Sequence, residues 1–174
     1  MVIWVTGLSG AGKTTFARKL CAILRNELEG VVHLDGDELR QIFGKQTAGS
    51  YLRESRIELA KAYGKLANSL SSQGLIVIIS TISLFKEIHN WNRKYINDYI
   101  EILLNPPLGI LKKRDQKNLY SDYENKVQKN IIGLDIDFDL PTTHNFHFTE
   151  VGEAELHQVA QKVVKNYKGK TNAN

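Results

Sequence analysis

Residues 7–14, Gly7-Leu8-Ser9-Gly10-Ala11-Gly12-Lys13-Thr14, limit what this chain can become more than any other stretch. The apolar run Val2-Ile3-Trp4-Val5 precedes them and a helical pattern starts near Thr14. The pattern G-x-x-x-x-G-K-[ST] therefore lies between a strand and a helix, the context its chemistry needs. Its glycines let the backbone curl and bring N–H groups against phosphate oxygens. The helix behind the loop adds free N–H groups and a positive dipole end. Lys13 then reaches the β- and γ-phosphates as a point charge, and the Thr14 hydroxyl is short enough to ligate Mg²⁺. A Gly-rich turn explains the glycines alone, but not the Lys-Thr pair after a strand. The stretch reads as a nucleoside-triphosphate site.

At 174 residues the chain fits one domain with one good core. Its net charge of +4 is modest and its Lys and Arg are dispersed, so a small polyanionic substrate explains the charge without nucleic acid. No apolar run approaches a membrane span, and the apolar start lacks a basic leader. Cys21 is the one cysteine, which precludes an internal disulfide and fits a reducing cytoplasm. It shares helical spacing with Ala17, Leu24 and Leu28, so it reads as a small core residue.

Strand-like and helix-like segments alternate. Strands are expected at 2–6, 31–34, 75–79, 99–104 and 146–149, and helices at 14–28, 38–43, 51–72, 83–96, 108–114 and 153–168. Ser83 is the candidate N-cap of its helix. A polar loop is expected at 44–50, an irregular lid at about 115–145, and a frayed polar tail at 169–174. Residues 1–168 then form one α/β domain: a doubly wound, mostly parallel five-stranded sheet flanked by helices in three layers. Ligands of such sheets bind beyond the carboxyl ends of the strands. The glycine loop, Asp35-Gly36-Asp37 and residues 80–83 all fall at that edge.

A phosphoryl-transfer enzyme must orient an acceptor and hold Mg²⁺ between phosphates as well as cradle a triphosphate. Two carboxylates at i and i+2 after a strand divide that work: one accepts or positions the acceptor hydroxyl, the other binds Mg²⁺ through water. A polar turn with a helix cap is the plain alternative for D-G-D, and its location opposite the glycine loop favours the chemical reading.

Gly7 to Thr15 read GLSGAGKTT, Leu34 to Arg40 LDGDELR, Ile82 to Phe85 ISLF, Arg114 to Tyr120 RDQKNLY, and Gly133 to Asp135 GLD. In this order and at these intervals the chain resembles the adenylylsulfate kinase family of P-loop kinases. That family carries G-L-S-G-A-G-K-[ST]-T, L-D-G-D-N-x-R, I-S-P-[FY] and R-D-P-K-G-L-Y…G-I-D. Its members transfer the ATP γ-phosphate, with Mg²⁺, to the ribose 3′-hydroxyl of a nucleotide-like acceptor. The resemblance implies a P-loop NTPase-type fold, with Gly7 to Thr15 and Arg114 on ATP and Thr14 and Asp35 on Mg²⁺. It makes Lys13, Asp35 and Asp37 catalytic, with Asp37 the base or orienting group. It sets Asp37, Arg40, Arg56, Ile82, Ser83, Lys129 and Ile131 around the acceptor, with Arg114 and Lys129 in the lid.

The departures concern the acceptor. Where the family reads G-F-S-x-x-D-R-x-E-N-I-R-R, this chain has Ser55-Arg56-Ile57-Glu58-Leu59-Ala60-Lys61-Ala62. Arg56 and Glu58 survive, but Leu59 replaces Asn and Lys61-Ala62 replaces the arginine pair. Ile131 replaces the lid aromatic that stacks on adenine, and it has no flat π face. Across Ser80 to Phe85, Trp91-Asn92-Arg93 and Arg114 to Tyr120 the chain resembles a divergent branch of the family that phosphorylates cytidine diphosphoramidate for bacterial capsules. Both acceptors offer a ribose 3′-hydroxyl and a two-centre anionic tail, so Asp37 and Arg40 suit either, and adenylylsulfate stays the alternative.

Trp91 and Arg93 fit support of the acceptor pocket, packing of a helix residue on the sheet explains Trp91 equally well, and Tyr51 fits either stacking or solvent. The lysines of the lid fit phosphate clamping or a solvated face. His33, His144 and His147 have no zinc-type spacing. A non-catalytic nucleotide switch is the alternative of another class, but no guanine-reading Asn-Lys-x-Asp is present. The oligomeric state is open, a homodimer included.

Overall fold

A computed structural model describes residues 1–43 and 52–171. The expected loop 44–50, Tyr51 and residues 172–174 of the expected tail lie outside them. Five strands, β1 Val2–Thr6, β2 Val31–Asp35, β3 Ile76–Thr81, β4 Tyr99–Leu104 and β5 Phe146–Phe148, form one parallel sheet in the order β2-β3-β1-β4-β5. Around it lie α1 Lys13–Arg25, α2 Gly36–Ile42, α3 Arg53–Ser71, α4 Lys86–Tyr95, α5 Leu108–Arg114, α6 Leu119–Glu124 and α7 Glu153–Thr171. This is the expected doubly wound α/β fold. No helix among the described residues is long and apolar enough to cross a membrane.

Every residue of β1 and β3 is buried, as befits unbroken apolar runs in interior strands covered on both faces. α1 packs on β2, β3 and α7, and α3 packs on β3 and α4. Cys21 is buried in the α1 stripe with Phe16, Ala17, Leu20 and Leu24, and burial pushes its thiol pKa up, so it serves as packing. The register levels the strand ends: Thr6 pairs with Thr81 and Leu103, and Asp35 pairs with Ser80. Consequently the glycine loop, the D-G-D turn and residues 81–83 leave the sheet side by side.

α3 and α4 approach closely at Gly64, where an added Cβ would lie 2.7 Å from the Trp91 ring and 2.9 Å from the Asn92 Oδ1. Alanine is normally about 1 kcal/mol better than glycine inside a helix. Here overpacking reverses the sign, and Gly64→Ala is expected to destabilise by about 1–3 kcal/mol. A urea midpoint equal to or above the parent's would contradict this.

A polar cluster inside the fold was not read from the sequence. Glu101, fully buried in β4, accepts hydrogen bonds from His89 Nδ1 at 2.7 Å and the Tyr99 hydroxyl at 3.0 Å, and pairs with Arg93. Its backbone N–H donates to Asn145 at 2.8 Å, and Arg93 also donates to the Thr143 carbonyl. Three partners make the buried carboxylate tolerable, and the bonds to Asn145 and Thr143 fasten the strand that follows the lid to the sheet.

Three expectations change. Ser83 does not cap a helix: α4 begins at Lys86, and the Lys86 N–H donates to the Asp139 carboxylate at 3.1 Å, while Ser83 pairs with the Thr81 hydroxyl at 3.1 Å. The lid is partly regular, with a tight turn at Gln116–Asn118 leading into the helix α6. The final helix runs past 168 to Thr171, held by a 2.7 Å ion pair between Lys170 and Asp98.

Candidate active site

The glycine loop joins β1 to α1 with Gly10 at φ +77° and Gly12 at φ +90°, left-handed conformations that cost glycine little. Lys13 occupies the first turn of α1 and folds back to donate from Nζ to the Leu8 carbonyl at 2.8 Å. Burial pulls its pKa down to about 8, against the opposing pull of Asp37 and Asp35. Phosphate oxygens beside that ammonium favour the charged form, so binding Mg·ATP is expected to draw in a proton. Linkage gives a larger proton uptake at pH 8.5 than at pH 7, with affinity falling as pH rises past about 8. Calorimetry in buffers of differing ionisation enthalpy measures it; equal uptake at both pH values would contradict the assignment.

Asp35 ends β2 and caps α2. Its Oδ1 accepts the Asp37 N–H at 2.9 Å, and its Oδ2 accepts the hydroxyls of Thr14 at 2.7 Å and Ser80 at 2.9 Å. Burial alone would raise its pKa, but the bonds from Thr14, Asp37 and Ser80 outweigh burial and hold the carboxyl below the usual range. An ionised carboxylate tied to a hydroxyl is a hard, all-oxygen donor set that suits Mg²⁺. Asp37 sits in the first turn of α2, further along than the expected open turn, and remains largely exposed. Its Oδ2 accepts from Lys117 of the lid at 2.7 Å. Lys117 and Asn118 hold left-handed backbone, φ +63° and +57°, to make that reach.

Two cavities meet at this loop. One, about 350 Å³, is walled by Ser9, Gly10 and Gly12 to Thr15 of the glycine loop, by Asp35, Asp37, Arg40, Arg56 and Leu59, and by Ile82, Ser83 and Ile131. The other, about 410 Å³, lies between Ala11, Thr15, Lys19 and Arg114 on one side and residues 148–152 on the other. Both walls include Gly10, Gly12, Thr15 and Gln116. Each is large enough for a nucleoside-sized ligand. Arg114 fixes the partition by donating to the Gly10 carbonyl at 3.0 Å, and Arg56 reaches the lid, donating to the Asn130 carbonyl at 2.8 Å.

Most of the expected site residues thus converge. Gly7 and Leu8 shape the loop from behind without lining either cavity. Lys129 does not converge: it is exposed, while its neighbours Gln128 and Asn130 line the cavity, Asn130 in left-handed backbone at φ +62°. Trp91 packs on Gly64 and Tyr95, and Arg93 serves the Glu101 cluster, so neither lines the cavity of Asp37 and Arg40.

The sequence profile of the adenylylsulphate kinase family matches residues 1–149. The chain belongs to that family. A cytidine diphosphoramidate kinase of Campylobacter jejuni is 44% identical over 140 residues, 80% of this chain and 81% of its own length. An adenylyl-sulfate kinase of Gloeothece citriformis is 36% identical over 81% of this chain and 79% of its own. The Mycobacterium tuberculosis APS kinase, solved with AMPPNP and APS, superposes with a TM-score of 0.79 at 26% identity, covering 94% of this chain and 95% of that one. Against the adenylylsulphate kinase motif, Asn118 stands where glycine is usual and keeps the left-handed turn, as Asn can. The wall at 148–152 escaped sequence reading because its motif-free residues reach the loop only through the pairing of β5 with β4.

Proposed function

We propose that the chain is an ATP-dependent kinase that phosphorylates the ribose 3′-hydroxyl of cytidine diphosphoramidate. The observation that carries the proposal is the position of Asp37: a carboxylate in the wall of one cavity, across the glycine loop from the other. ATP places its nucleoside beside Arg114 and residues 148–152 and its phosphates over the loop. The acceptor lies in the cavity of Arg40, Arg56, Ile82 and Ser83. Asp37 takes the proton of the 3′-hydroxyl as its oxygen bonds to the γ-phosphorus. The bond from that phosphorus to the bridging oxygen breaks, and ADP leaves with the electron pair. Lys13 neutralises charge on the transferring group, and Lys117 gives up Asp37 as the base is engaged. Thr14 and Asp35 are the residues that would hold Mg²⁺, which when bound would offset negative charge on the phosphates.

Two features of the acceptor wall favour the cytidine compound. Leu59 and Ile131 are both nearly fully buried in that wall and offer neither a polar contact nor a stacking face. The 44% relative is a cytidine diphosphoramidate kinase. Adenylylsulfate stays the second reading, supported by the family match and by the 36% adenylyl-sulfate kinase. Kinase chemistry is tested against the switch reading by coupled ADP release: either acceptor should raise it well above the rate with ATP alone. No stimulation by any nucleotide acceptor would overturn the proposal.

A further inference from the structure

We infer that His33 is a positioning residue for the Asp35–Thr14 pair, acting through the hydroxyl of Ser80. The inference rests on the reading that Asp35 and Thr14 hold the metal of the donor nucleotide. Side chains alternate along a strand, so His33 and Asp35 share one face of β2. The register sets Asp35 opposite Ser80 and His33 opposite Ile78, which makes Ser80 the diagonal neighbour of His33 on that face. The distances close a chain: His33 Nε2 to Ser80 Oγ is 2.9 Å, Ser80 Oγ to Asp35 Oδ2 is 2.9 Å, and Thr14 Oγ1 to the same Oδ2 is 2.7 Å.

Proton counting gives the chain a direction. An ionised carboxylate only accepts, so both hydroxyls spend their single hydrogen on Asp35. Ser80 Oγ is then an acceptor toward His33, and Nε2 must carry hydrogen. The sequence of donation is His33 to Ser80 to Asp35, with Thr14 donating from the other side. Thr14 therefore turns its lone pairs away from Asp35, which is the orientation a hydroxyl needs to ligate a cation. Ser80 is 3% exposed, so its oxygen has little access to solvent, and His33 is what stops this hydroxyl from rotating elsewhere. Residues that orient ligands from behind commonly affect metal affinity without touching the metal.

The test measures AMPPNP affinity by calorimetry with Mg²⁺ and with EDTA, beside kcat, KM and melting temperature. His33→Leu should bind AMPPNP normally in EDTA but lose about tenfold in the Mg²⁺-dependent gain. His33→Gln, whose amide N–H can reach the same Ser80 oxygen, should restore most of it. Ser80→Ala should show the same loss, and adding His33→Leu to it should cost nothing more. An undiminished Mg²⁺ gain in His33→Leu, or a Gln variant as impaired as Leu, would overturn the relay. Asp35→Asn separates the two levels: if it keeps the full Mg²⁺ gain, the metal-side reading itself fails. If Asp35→Asn loses the gain and His33→Leu does not, only the role of His33 fails.

Discussion

Asp37→Asn is expected to bind Mg·ATP about as well as the parent and to lose about 10²- to 10⁴-fold in kcat, the range that a positioned general base supplies. The two effects separate because of where the residue sits. Asp37 lines the cavity proposed for the acceptor and not the one walled by Arg114 and residues 148–152. Its side chain is 70% exposed, so the amide should fold normally. Asparagine retains the size and one carbonyl oxygen but cannot take the proton of a hydroxyl. It also gives up the charge that holds Lys117 at 2.7 Å. Single-turnover kinetics with saturating ATP read the chemical step directly. Near-normal turnover would remove Asp37 from the chemistry, and a large loss of ATP affinity would show that it acts on the donor instead.

Gly7→Ala is expected to destabilise the protein by about 3 kcal/mol or more, combining backbone clash with an unfavourable φ. A Cβ at Gly7 would lie 2.2 Å from the Leu104 carbonyl oxygen, and Gly7 has φ +153°. The obstacle is the backbone at the end of β4, which cannot rotate aside as a side chain can. β1 and β4 are locked in register up to the Thr6–Leu103 pair just before this contact. Relief therefore means separating the strands or displacing the loop, and either should also weaken ATP binding. Chemical denaturation should show the lower midpoint. A variant with parental stability and ATP affinity would contradict this account of the loop.

What could be read from the sequence followed from how local each signal is. β1 and β3 are runs of apolar residues whose burial needs no long-range information beyond a covered sheet. The glycine loop carries its own conformation, and Asp35-Gly36-Asp37 inherits its position from the end of β2. Signals that depend on distant partners could not be decided from the residues alone. Ser83 has the right residue type for a cap, yet α4 takes its capping carboxylate from Asp139, 53 positions away. Trp91 and Arg93 are the residue types of a binding pocket, yet Gly64 and Glu101 claim them. Glu101 itself looked unremarkable in an apolar strand, because its partners at 89, 93 and 145 come from other elements. Lys129 carried the expected charge, but its neighbours fill the inward positions of the lid.

The central claim is that the donor half of an adenylylsulphate kinase has been kept while the acceptor half, around Arg40, Leu59 and Ile131, serves a different nucleotide. The direct measurement is kcat/KM for cytidine diphosphoramidate and for adenylylsulfate under identical conditions, with the phosphorylated position assigned by ³¹P NMR. Preference for the cytidine compound by about tenfold or more, a difference of roughly 1.4 kcal/mol in transition-state binding, with the new phosphate on the 3′-oxygen, is the predicted result. Equal or greater kcat/KM for adenylylsulfate would contradict it.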